Sequence, residues 1–144
     1  MAGSQAKDVG DALRAHLAAV AAELTLEVTA NLIEATPVDT GHARANWVPG
    51  IGEPPEDEQP AGAQASGMAA VATYKLGDGP LNITNNVPYI GPLLNGHSSQ
   101  AAPGWDVAAI DQAVATVQAR RDGLNIDLTT TGPSVRIAPR EHGT

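Results

Sequence analysis

Asp39-Thr40-Gly41 spells the catalytic aspartate of an aspartic protease, so it is the first place to ask for chemistry. That chemistry needs two facing carboxylates, one ionised to activate water and one protonated to polarise the peptide carbonyl. The chain has one such triplet. A homodimer could supply the second, but the aspartate should then follow an apolar strand, and here it follows a proline-stopped helical pattern. A turn is the alternative: Pro37 ends the helix, Asp39 or Thr40 accepts hydrogen bonds from the next amides, and Gly41 permits the bend. A small aspartic-type hydrolase using Asp39 stands as the enzyme alternative. His16, His42, His97 and His142 show no metal-ligand spacing. His97-Ser98-Ser99 sets serine beside histidine without an elbow motif around it. Gly77-Asp78-Gly79-Pro80 is too short to cradle a phosphate. The expectation is no catalytic residue, no cofactor and no metal.

The elements that must position these residues are read from periodicity. Val9, Leu13, Leu17, Val20, Leu24, Val28 and Leu32 recur at steps of three and four, the stripe of a long helix that Ser4 or Asp8 would cap and Pro37 would end. Such a helix would extend beyond a small domain and towards a neighbour. His42, Arg44 and Trp47 follow on a short helical or extended segment. Residues 49–66, with four prolines and four acids, read as an exposed acidic loop that burial cannot repay for ordering. Residues 67–79 read as a short helix or a half-buried strand, helix being favoured, closed by the Gly77-Asp78-Gly79 turn. Leu81 to Asn85 alternates as a strand with one buried face. Asp106 is a candidate cap for a helix whose stripe is Val107, Ile110, Val114 and Val117, with Arg120 and Arg121 complementing its carboxyl-end dipole. Leu124, Ile126 and Leu128, a Gly132-Pro133 turn, then Val135 and Ile137 read as a hairpin, and 138–144 as a polar tail. The fold class is α+β: a long N-terminal helix and a second helix packed on a small, mostly antiparallel sheet, with long loops, in one domain over 1–144.

Composition narrows the function classes. The chain has 144 residues, no cysteine and no phenylalanine, and its aromatics are Trp47, Tyr74, Tyr89 and Trp105. Its core should be thin and aliphatic, a deficit that self-association relieves. The absence of cysteine suits a reducing cytosol. No signal pattern and no run approaching the ~18 apolar residues of a membrane span is read. A net charge of −8 argues against wrapping nucleic acid, which needs Lys and Arg on phosphates.

Three unusual strings occur in order: TPVDTGHARANW after the long helix, ITNNVPYIGPLLNGHSSQAAPGW from a strand end, then a helix. Together they resemble the tail-completion, or neck, family of long-tailed bacteriophages, over roughly Leu24 to Val117. The family often has an acid before the loop glycine, where this chain has Asn95-Gly96, and an aliphatic residue at the place of His42. The resemblance implies a non-enzymatic virion protein, assembled in the host cytoplasm, that forms a ring of six subunits at the head-proximal end of the tail. Its partners would be itself, tail terminator or tail-tube proteins, and head-side connector or stopper proteins; a tail terminator ring is the alternative. DNA would be passive cargo, repelled by acidic channel walls. The motif residues carried over are Asp39, Thr40, Gly41, Arg44, Trp47, Asn85, Asn86, Pro88, Tyr89, Gly96, Ser98, Gln100 and Pro103. Asn85 and Asn86 are expected to bond the following loop, Tyr89 to pack beneath it, and Ser98, Ser99 and Gln100 to close it.

Overall fold

Alanine and aliphatic residues at helical spacing give the first element its length. In the computed structural model, which describes residues 2–37, 41–96, 102–121, 126–131 and 134–139, helix α1 spans Ala2–Ala35. It begins ahead of both expected caps, because the good helix formers upstream of Asp8 continue the helix rather than start it. Its stripe divides in two. Val20, Leu24, Val28 and Leu32 are fully buried, whereas Val9 and Leu13 are 69% and 56% exposed. Contrary to the sequence expectation, Ala6–Ala35 is long and apolar enough by composition to cross a membrane; half of its most apolar stretch is buried inside this fold.

After α1 come α2 (Gly41–Ala45), β1 (Val48–Ile51), α3 (Ala63–Ala72), a 3-10 turn at Leu76–Asp78, β2 (Leu81–Thr84), α4 (Ile90–Leu94), α5 (Trp105–Arg120), β3 (Ile126–Thr131) and β4 (Ser134–Pro139). The sheet order is β1-β2-β4-β3, with all three pairings antiparallel. The architecture is α+β, with helices packed on a small antiparallel sheet. The segment expected as a loop over 49–66 is shorter, from Gly52 to Gly62, because β1 takes its start and α3 its end. Pro49 is tolerated since β1 is an edge strand, where a missing N–H breaks no central ladder. The polar tail also shortens: Ala138 and Pro139 pair with Asp127 and Ile126 in the hairpin. Gly132, Pro133 and 140–144 lie outside the described residues.

β2 is buried along its whole length, not on one face only. Leu81 packs with Ala21, Ala22 and Val71, and Ile83 joins the main core with Leu24, Leu32, Trp47 and Ile110. On the other side Asn82 donates to Gly52 O at 3.0 Å. Asn82 Oδ1 and Thr84 Oγ1 have no hydrogen-bond partner among the described residues.

α5 starts one residue before Asp106, so that side chain sits in the first turn, favourable to the helix dipole, and is not the cap. Val107 is 51% exposed and leaves the expected stripe; the buried face is Trp105, Ala109, Ile110, Ala113 and Val117. Small alanines on that face let α5 lie close along α1, the most extensive helix contact of the fold. Asn31 Nδ2 donates to Ala109 O at 3.2 Å, and Arg120 and Arg121 reach Glu23 at 3.2 and 2.6 Å. The two helices are therefore antiparallel. The arginines pair with α1 instead of only complementing their own helix end. Desolvation raises the Glu23 pKa, but the hydrogen bonds and charges of Arg121 and Arg120 outweigh it and hold the carboxyl below its ordinary value.

Candidate functional site

The carboxyl end of α1 presents carbonyls that no further helical turn can satisfy. Arg44, one helix later, meets them: its Nε donates to Thr36 O at 2.9 Å and its terminal nitrogen to Glu34 O at 2.8 Å. A cation at a helix carboxyl end is also favoured by the dipole. Thr36 Oγ1 donates to Leu32 O at 2.6 Å and accepts from Trp47 Nε1 at 2.8 Å. Trp47 is buried and meets Trp105 edge to face, with ring centroids 6.4 Å apart. Trp105 Nε1 in turn donates to Leu93 O at 3.1 Å.

The second string closes on the first. Asn85, fully buried, donates through Nδ2 to Ala43 O at 2.9 Å and accepts from Val87 N–H at 3.3 Å. Only the second of these bonds runs into the following loop, as expected; the first returns to α2. Asn86 points the other way, donating to Pro55 O at 2.9 Å and Asp57 O at 3.1 Å, so it holds the acidic loop. Glu58 of that loop pairs with His42 Nε2. Gln64, on α3, donates to Arg44 O and Trp47 O at 3.0 Å each.

Gly41 opens α2 and is exposed, and Pro88 is exposed. Tyr89 is 37% exposed, whereas Ile90 and Leu93 beside it are buried; most of the loop it was expected to pack beneath lies outside the described residues. Gly96 has φ +86°, and a side chain there would strike the Pro103 ring at 2.5 Å. That contact joins the two ends of the loop. Asp39, Thr40, Ser98, Ser99 and Gln100 lie outside the described residues, so the expected capping and loop closure fall there too.

The described residues of 36–47 and 85–105 therefore form one cluster, with Thr36, Gln64 and Trp105 added as joints that the motif did not name. A threonine directly before the stopping proline was the available signal for Thr36; its hydroxyl bridges α1 and the indole. The cluster's polar groups bond backbone and one another. Among the described residues no group of three His, Asp or Glu side chains is placed to hold a metal. Protein-family models, curated proteins and solved structures were all compared with this chain, and none matches it.

Proposed function

We propose that the chain is a structural component of the neck of a long-tailed phage, completing the tail as a ring of six subunits between tail-tube or terminator proteins and the head-side connector. The observation that carries this reading is how the two motif strings are used. Arg44, Trp47 and Asn85 each bond backbone or buried side chains in one cluster at the end of α1, which suits a role in fixing shape. A small hydrolase would need a second acid facing Asp39, and nothing in the described cluster favours that reading.

The charge pattern supports the channel idea. Arg44, Arg120 and Arg121 are each paired with carbonyl or carboxylate groups of the same chain, so part of their charge is already matched before any phosphate approaches. The acidic loop carries Glu53, Glu56, Asp57 and Glu58 at the surface.

Immunogold labelling of virions from a phage that encodes this chain tests the proposal. Label at the head–tail junction, with headless tails or tailless heads when the gene is deleted, is the expected result. Unlabelled, normally assembled virions would overturn it, as would inhibitor-sensitive proteolysis abolished by Asp39→Asn. Where the label falls relative to the tube in the deletion particles separates tail completion from tail termination.

A further inference from the structure

The first three turns of α1 stand clear of the body. From Ala6 to His16 every residue but half-buried Gly10 is exposed. Among the described residues the ion pairs of α5 reach back along α1 only to Glu23, about 15 Å of helix short of Leu13. Val9 and Leu13 thus continue the core stripe with nothing over them. At the foot of this arm, α1 and the 3-10 turn enclose an open groove of about 390 Å³. Its floor is Ala15, Ala18, Tyr74 and Leu76, and Arg14 and Lys75 flank it. Tyr74 is held in place by its hydroxyl, which donates to Gly79 O at 2.6 Å.

The charges of arm and groove are complementary. Asp8 and Asp11 flank Val9 on the arm, and Asp11 makes only a loose pair with Arg14 at 3.9 Å. The Lys75 ammonium makes no ion pair among the described residues, unlike Arg120 and Arg121, although the Lys75 backbone N–H donates to Asp78 Oδ2 at 2.9 Å.

We propose that the arm of one copy docks in the groove of the next, Val9 and Leu13 covering Tyr74 and Leu76 while Asp8 and Asp11 meet Lys75 and Arg14. Arm and groove are different surfaces, so the contact repeats head-to-tail from copy to copy until rotation closes it, unless two copies exchange arms reciprocally about a twofold axis. In that case a variant carrying both Leu13→Cys and Leu76→Cys would stop at a linked dimer and overturn the repeat. An arm-to-arm pair would stop at two copies and leave Lys75 unmatched. Closure into the six-membered ring rests on the neck reading; the contact itself does not.

The absence of cysteine makes disulfide trapping clean. Leu13→Cys and Leu76→Cys proteins are prepared separately, mixed and mildly oxidised, and the double variant is oxidised alone. The mixture is expected to give a disulfide-linked heterodimer and the double variant a ladder of multimers, while Leu13→Cys alone stays unlinked. A dimer of Leu13→Cys alone, or no link between the two proteins, would overturn the proposal. In sedimentation equilibrium, Lys75→Glu should weaken self-association about tenfold, and adding Asp11→Lys should restore it; failure of that rescue also counts against the contact. Circular dichroism confirms that each variant is folded. A ladder without neck labelling leaves the contact and removes the neck role, whereas neck labelling without a ladder does the reverse.

Discussion

Asn85 shows how one side chain can hold three segments. Fully buried, it satisfies the Ala43 carbonyl and the Val87 amide, so it ties β2 to α2 and starts the following turn. Asn85→Leu should leave the Val87 amide buried and unpaired, at about 1–3 kcal/mol, while Ala43 O keeps the Asn46 N–H at 3.1 Å. A urea midpoint shift consistent with less than 1 kcal/mol would contradict that account. Thr84, two strand positions from Asn82, predicts the opposite sign. Its hydroxyl is buried without a partner among the described residues, so Thr84→Val should stabilise the fold, by up to about 1 kcal/mol, since a desolvated donor is removed and the shape is kept. The check is a higher melting temperature at unchanged denaturant slope.

At the scale of elements, α3 is seated by the absence of a side chain. A Cβ on Gly67 would overlap the Pro49 carbonyl oxygen of β1, and backbone cannot step aside as a flexible side chain can. Gly67→Ala is expected to cost at least the ~1–3 kcal/mol of an overpacked core, and hydrogen exchange should rise first across 63–72. Between α1 and α5 the lock is ionic. A carboxylate held below its unfolded value stabilises the fold above that value, near 4.3 for Glu, and its contribution disappears as pH falls through the folded value. The Glu23 pair with Arg120 and Arg121 should thus contribute about 1 kcal/mol at pH 7 and nothing well below pH 4. Glu23→Gln should lose less stability than the parent between pH 7 and pH 3, measured by denaturant titration at each pH.

These elements also mark what the residues announced and what they concealed. The long helix was legible because steps of three and four admit one geometry, and the hairpin because two alternating apolar runs flank Gly132-Pro133 in the sequence; Leu128 pairs with Ile137 in the register. β1 was not, because Pro49 and Gly50 argue for a loop until the neighbouring strand is known to pair on one side only. Alternation misled at β2, since Asn82 and Thr84 are polar yet as buried as Leu81 and Ile83. Of the motif, Arg44, Trp47 and Asn85 join one bonded cluster, while Tyr89 is partly exposed. Sequence order could not reveal Gln64, whose bonds to Arg44 and Trp47 depend on α3 folding back over β1.

For the whole molecule, the contacts that fix α1 and α2 differ greatly in how much chain they enclose, and this bears on the sequence of events in time. The Trp47–Thr36 bond spans 11 residues, the Asn85–Ala43 bond 42 and the Arg121–Glu23 pair 98. Closing a longer loop costs more entropy before any contact compensates for it. The α1–α2 corner should accordingly belong to the folding nucleus, with β2 docking next and the α5 lock last. In stopped-flow chevrons Trp47→Phe should mainly slow refolding, and Arg121→Gln should mainly speed unfolding. The string that first looked like a catalytic triplet would then mark where the chain begins to fold.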